Sequence, residues 1–183
     1  YRGQKFLRAA AGALSTAVAL SPSDEAGHRE LGTLLRRVGD PAGAIRAFHA
    51  ALKLQPSAEA HLHLSYLSTE AEERERHVRA ALQLTPRSPD IYLRLAQLFG
   101  EDKAAPPRKA EAEAAYRELV QLDPVMGGQR LFNFLRFEER KLEAAVAFRG
   151  AKLLVEERRQ AEAEAAEDEA ACAEEKAAEK SSV

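Results

Sequence analysis

The sequence predicts an all-α fold built from short helical hairpins, and three observations lead there. Apolar residues recur at helical spacing along most of the chain. Alanine, leucine and glutamate dominate, β-branched residues are few, and no strand candidate stands out. Turn residues interrupt the apolar pattern at regular intervals, most clearly at Gly39-Asp40-Pro41. At 183 residues the chain is long enough for one domain with a sizeable core, and nothing in the composition requires two.

The organising element runs from His28 to Pro56. Gly39 is placed to end one helix, while Asp40 and Pro41 supply the N-cap and first-turn residue of the next. Leu31, Leu34, Leu35 and Val38 form the apolar stripe of the first helix, with Gly32 beside them. Ala44, Ile45, Phe48, Ala51, Leu52 and Leu54 form that of the second. Gly32, Ala44 and Ala51 carry no bulk, so the two backbones can approach while Leu35 and Phe48 fill the space between them.

With Glu25 as the first position, Leu31, Gly32, Leu35, Ala44, Phe48, Ala51 and Pro56 follow a small/large order in which this segment resembles a tetratricopeptide repeat, a helix-turn-helix unit of about 34 residues. It departs at His28, where the family often has tryptophan. The resemblance spans roughly Lys5 to Lys152. It implies a right-handed α-solenoid of stacked hairpins, here with a long C-terminal helix, in which the first helix of each hairpin lines a concave groove.

Residues 1–22 read in two ways. Arg2, Lys5 and Arg8 ahead of the weakly polar run Ala9 to Leu20 imitate a signal peptide, although that run is too short to span a bilayer. Against this, Ala10, Leu14, Ala17 and Pro22 fall on the places of Ala44, Phe48, Ala51 and Pro56, which favours the second helix of an incomplete repeat. The start at Tyr1 is expected of a fragment, a processed product or an incompletely known sequence.

The array itself is expected over 23–155, with repeats at about 25–57, 58–88, 89–124 and 125–155. Ser23 and Asp24 can cap its first helix and Ser57 the next hairpin. That second hairpin carries His61, Leu64 and Ser65 on the places of His28, Leu31 and Gly32, but is shorter at its inner turn and has Arg74 where a small residue is usual. Ser88-Pro89-Asp90 starts the third, with Tyr92, Leu95, Ala96 and Phe99, then Ala112, Tyr116, Leu119 and Pro124. The inserted EDKAAPPRK reads as a surface loop. In the fourth, Leu131, Leu135, Ala144, Phe148 and Ala151 keep their places, Phe132 is bulky where glycine or alanine is usual, and Gly127-Gly128 reads as a mobile helix start. No proline closes it, so the last helix can continue from about Lys141 to Lys180; residues 156–183 form an acidic, alanine-rich helix and tail. Ala163, Ala166, Ala170, Ala173 and Ala177 recur there at three-then-four spacing, either on a solvated helix or as a thin seam against a partner.

Chemistry is not indicated. The single Cys172 excludes an internal disulfide and a cysteine-cluster metal site, and fits a reducing compartment. His61 and His63 point to different faces of a helix, His28 and His61 occupy equivalent packing positions, and His49 and His77 lie on second helices without an evident nucleophile arrangement. Glu72-Glu73 and Glu138-Glu139 read as ordinary helix-surface acids. No catalytic residue, metal or cofactor is therefore expected. The net charge of −2 does not favour nucleic acid, and the only candidate basic group, Arg29, Arg36 and Arg37, is opposed by the acidic tail.

The resemblance places partner-binding residues on the groove at Arg29, Thr33, Arg36 and Arg37, at Leu62 and Tyr66, at Leu93 and Gln97, and at Gln129, Asn133 and Phe137. The arginines suit the carboxylates of an acidic or C-terminal peptide, and Leu62, Tyr66 and Leu93 offer an apolar anchor. The carboxylate clamp of chaperone-binding relatives is broken at Thr33, Tyr66, Leu93 and Gln97, and only Asn133 stands where sugar-transferase relatives have an asparagine ladder. The expected function is a non-catalytic scaffold or adaptor subunit of a hetero-oligomeric assembly, binding proteins or peptide segments. It would be soluble and intracellular, or inside an organelle after loss of a targeting segment. An accessory repeat region of a larger enzyme is the alternative.

Overall fold

A computed structural model describes residues 2–100 and 108–181, with side chains described over 4–100 and 108–166. All secondary structure in the described residues is α-helical: α1 (Arg2–Leu20), α2 (Glu25–Val38), α3 (Pro41–Leu54), α4 (Ala58–Leu67), α5 (Ala71–Leu84), α6 (Pro89–Gly100), α7 (Lys109–Leu122), α8 (Pro124–Phe137) and α9 (Lys141–Ser181). The chain divides into two compact units, Tyr1–Ala115 and Tyr116–Val183, with the boundary inside α7. The EDKAAPPRK insertion lies almost wholly outside the described residues.

Helix starts follow the local chemistry. The carboxylates of Asp24, Asp40 and Asp123 accept from the amides of Gly27, Gly43 and Met126 at 3.0, 2.8 and 3.0 Å, and the Ser57 hydroxyl accepts from Ala60 at 3.3 Å. Each bond satisfies a first-turn amide that the helix itself leaves unpaired. Pro41 and Pro124 sit in the first turn, where a missing N–H costs nothing.

In the first unit consecutive hairpins interlock around Phe48, which is completely buried with Ala44, Ala60 and Leu64. A β-carbon on Gly32 would come within 2.8 Å of the Phe48 ring, so glycine is what lets α3 close on α2. A second cluster joins Ala11 and Val18 of α1 to Leu31 and Ala47. Here the expected register of α1 is corrected: Ala10 and Ala17 are exposed, and the buried positions are one residue on. In α3 the matching places, Ala44 and Ala51, are both completely buried, and among the described residues no helix precedes α1.

The inner turns of two hairpins are built alike. The amide of Asp40 donates to the Leu35 carbonyl at 2.9 Å around Gly39 at φ 90°, and the amide of Arg140 donates to Leu135 at 2.9 Å around Glu139 at φ 61°. This is a left-handed helix C-cap, free of strain for glycine and strained for glutamate. Glu139 is thus a turn residue rather than the ordinary helix-surface acid that the sequence suggests. Gly39→Ala is expected to lower stability by about 1 kcal/mol, and Glu139→Gly to raise it by up to about 1 kcal/mol, in urea denaturation.

The second unit corrects the reading of Gly127-Gly128 as a mobile helix start. Both glycines are buried inside α8. A β-carbon on Gly127 would lie 2.5 Å from the backbone nitrogen of Val120, and one on Gly128 would collide with the Ala151 methyl. Phe132, on the place of Gly32, stacks on Phe148 with ring centroids 5.3 Å apart. Bulk has therefore moved: glycine occupies the usual aromatic place and phenylalanine the usual glycine place, one helical turn apart. Arg158 of α9 donates to the Leu122 carbonyl at 3.1 Å and also to Gln121, satisfying the open end of α7.

As the absent closing proline predicts, α9 runs on without a break. From residue 156 to 166 every side chain is exposed, including Ala163 and Ala166; the side chains of Ala170, Ala173 and Ala177 lie outside the described residues. No helix in the described residues is long and apolar enough to cross a membrane.

Candidate functional site

In the first unit, side-chain contacts join the first helices of the hairpins. Arg29 of α2 pairs with Glu25 at 3.2 Å and with Glu59 of α4. Arg94 of α6 donates to the Ser65 hydroxyl of α4 at 3.2 Å and to the Ser65 carbonyl, and its guanidinium lies 4.2 Å from the centre of the Tyr66 ring. The Thr33 hydroxyl donates to the Arg29 carbonyl at 3.1 Å. Leu62, Leu93 and Gln97 are half-buried. Arg36 and Arg37 are exposed, and among the described residues no ion pair engages them.

These contacts separate the three arginines that the sequence groups together. Burial opposes the charge of Arg29, but the hydrogen bond and charge of Glu59, with Glu25, outweigh it and raise its pKa. That cation is already compensated within the fold. Arg36 and Arg37 are exposed, and Arg36 lies near enough to Tyr66, which is 45% exposed, for its charge to act on the hydroxyl. Burial pushes the Tyr66 hydroxyl up and Asp90 adds to this, while Arg94 and Arg36 oppose it, so Tyr66 stays neutral at ordinary pH and offers a ring face and a hydroxyl.

In the second unit Gln129 donates to Asn133 at 3.2 Å. Both line an open groove of about 840 Å³ between α8 and α9, with Val125, Met126, Phe148 and Val155 among its walls. Phe137 is 85% exposed and is not part of that lining. The apolar walls were not singled out from the sequence, because Phe148 there occupies a core position. Here it packs against Phe132 and lines the groove.

No family model matches the chain, and no curated protein matches it in sequence. Solved structures do. The chain is similar in fold to MamA. One crystal structure of MamA aligns with a TM-score of 0.69 at 19% identity, covering 87% of this chain and 94% of that one. A second aligns with a TM-score of 0.68 at 19% identity over 87% and 88%. MamA 41-end from Desulfovibrio magneticus RS-1 aligns with 0.64 at 19% identity over 82% and 86%. MamA is a tetratricopeptide-containing protein, and at this identity the likeness establishes an all-α fold of the helical-repeat class.

Histidines of α3, α4 and α5 come together in the first unit. His61 of α4 and His77 of α5 meet with their Nδ1 atoms 3.0 Å apart, and the His49 and His77 rings are 6.1 Å apart. His63 stacks on Phe48 with centroids 4.9 Å apart, and its Nδ1 is buried without a hydrogen-bond partner. Burial lowers the pKa of His61, His77 and His63. For His61 the charge of His49 adds to burial; for His77 those of His61, His49 and Arg76 add and Glu73 opposes; for His63 those of Arg36 and Arg29 add and Glu59 opposes.

A depressed folded-state pKa means that the unfolded chain binds more protons between that value and about 6.5. Stability is full above that range and falls as pH drops through it, by at most about 1.4 kcal/mol per pH unit for each histidine. Urea midpoints at pH 7.5 and 5.5 are expected to show the loss, and His63→Gln to reduce it. A midpoint that rises on acidification would contradict this assignment.

Proposed function

We propose that the chain is a non-catalytic protein-binding scaffold or adaptor of the tetratricopeptide family, recognising an acidic peptide segment with the first-helix face of its first unit. The observation that carries this reading is the exposed Arg36, whose charge reaches Tyr66, with the exposed Arg37 next to it in sequence and Arg29 neutralised by Glu59. Two exposed guanidinium groups, one of them near an amphipathic ring, match a carboxylate followed by an apolar side chain. Gln129, Asn133 and Phe137 extend partner binding to the second unit, with Gln129 and Asn133 presented by the α8–α9 groove.

Within this reading α1 is the second helix of an incomplete repeat. Ala11 and Val18 turn toward α2 at the places that Ile45 and Leu52 occupy in the next hairpin, which supports it. The segment of α9 after Val155 has no core of its own and is suited to lie along a neighbouring subunit.

The test begins with purification of the protein under mild conditions and identification of what accompanies it. Arg36→Glu with Arg37→Glu is expected to release that partner, and raising the salt to weaken it. Arg29→Ala is expected to act mainly through stability. A partner retained by the double charge reversal would remove the acidic-peptide reading. Hydrogen exchange after Val155 should slow only with the partner present; equal protection in both states would remove the role of α9.

A further inference from the structure

We propose that His49, Glu73 and His77 form a binding site for one zinc-like divalent transition-metal ion, independent of the peptide face. One ligand atom from each residue lies within 4.8 Å of the other two. Glu73 and His77 are one helical turn apart on α5, with Oε1 and Nε2 separated by 4.0 Å, and His49 reaches the same point from α3. Two hairpins therefore converge on it.

The tautomer is favourable. The two Nδ1 atoms of His61 and His77 are at hydrogen-bond distance, so one donates and the other accepts. When the proton is on His77, its Nε2 carries the lone pair on the side of Glu73. A ligating histidine held through its second nitrogen is the usual arrangement in zinc sites, and His61 is the positioning residue. His77 is buried, and burial favours the neutral ring that a metal requires.

The donor set selects the ion. Two imidazoles and one carboxylate suit zinc, whereas calcium and magnesium want oxygen donors throughout. The carboxylate offsets one of the two metal charges, while nearby Arg76 opposes binding and sets a modest affinity. Tetrahedral zinc at about 2.0–2.1 Å from each ligand needs the donors closer than they stand, and rotation of the partly exposed His49 and Glu73 side chains can supply this. Three protein ligands leave the fourth position to water. The bound ion would tie α3 to α5, the second helices of consecutive hairpins.

The full chain, stripped with chelator, is titrated with zinc chloride by calorimetry and by thermal unfolding. One ion per chain is expected, with a rise in Tm that grows with free zinc. His49→Ala and Glu73→Gln alter side chains outside the core and should fold normally by far-ultraviolet circular dichroism, yet lower the affinity at least about 10–100-fold. His61→Ala is expected to weaken binding about 10-fold, and His61→Asn, which keeps an acceptor near the lost nitrogen, to restore part of it. His28→Ala should leave binding unchanged. Absence of saturable binding at micromolar zinc, or binding that survives both His49→Ala and Glu73→Gln, would overturn the site.

Discussion

Truncating Phe48 to alanine is expected to lower the unfolding free energy by about 3–5 kcal/mol, read as a shift of the urea midpoint. The ring is wholly buried, and its neighbours Ala44 and Ala60 have no side-chain reach with which to fill the space. Gly32, the residue facing it from α2, adds nothing, so a cavity remains beyond the lost transfer free energy. Phe6 is 75% exposed, and the same truncation there should cost less than about 0.5 kcal/mol. A loss at Phe48 no greater than that at Phe6 would mean that the small/large pattern does not build the core.

Gly127→Ala is expected to destabilise the second unit by about 3 kcal/mol, because the colliding atoms are the backbone of Leu119 and Val120 and no rotamer change can move them. Gly128→Ala differs in kind, since its obstacle is the Ala151 methyl. Pairing Gly128→Ala with Ala151→Gly should recover most of the loss, a coupling that a double-mutant cycle measures directly. Gly150 has nothing near its missing β-carbon, so Gly150→Ala should instead stabilise α9 by up to about 1 kcal/mol. Equal effects at positions 127 and 150 would refute the close approach of α7 and α8.

Helix existence and boundaries were readable wherever local chemistry decides them. Asp40-Pro41 and Ser57 start helices because the cap acts within one turn, and α9 continues because nothing in its sequence stops it. The errors have a common origin in contacts between helices. Gly127-Gly128 resembles a mobile segment until the backbone of α7 is placed against it. Glu139 looks like a surface acid until the turn repeats the geometry around Gly39. Arg29 seemed available because Glu59 is 30 residues away in sequence. Sequence spacing relates His61 to His63 and repeat position relates it to His28, whereas the contacts in the fold link histidines of α3, α4 and α5. Equivalence of repeat positions gave the scaffold, but departures from it carry the candidate sites and are invisible to periodicity.

The exchange of bulk between Gly128 and Phe132 makes those two positions mutually dependent. Restoring the ordinary glycine at 132 alone would strip Phe148 of its stacking partner, and restoring an aromatic at 128 alone would drive a ring into Ala151. Either change by itself is expected to lower stability, so the two positions are energetically coupled. Idealising the repeat one residue at a time would damage it here.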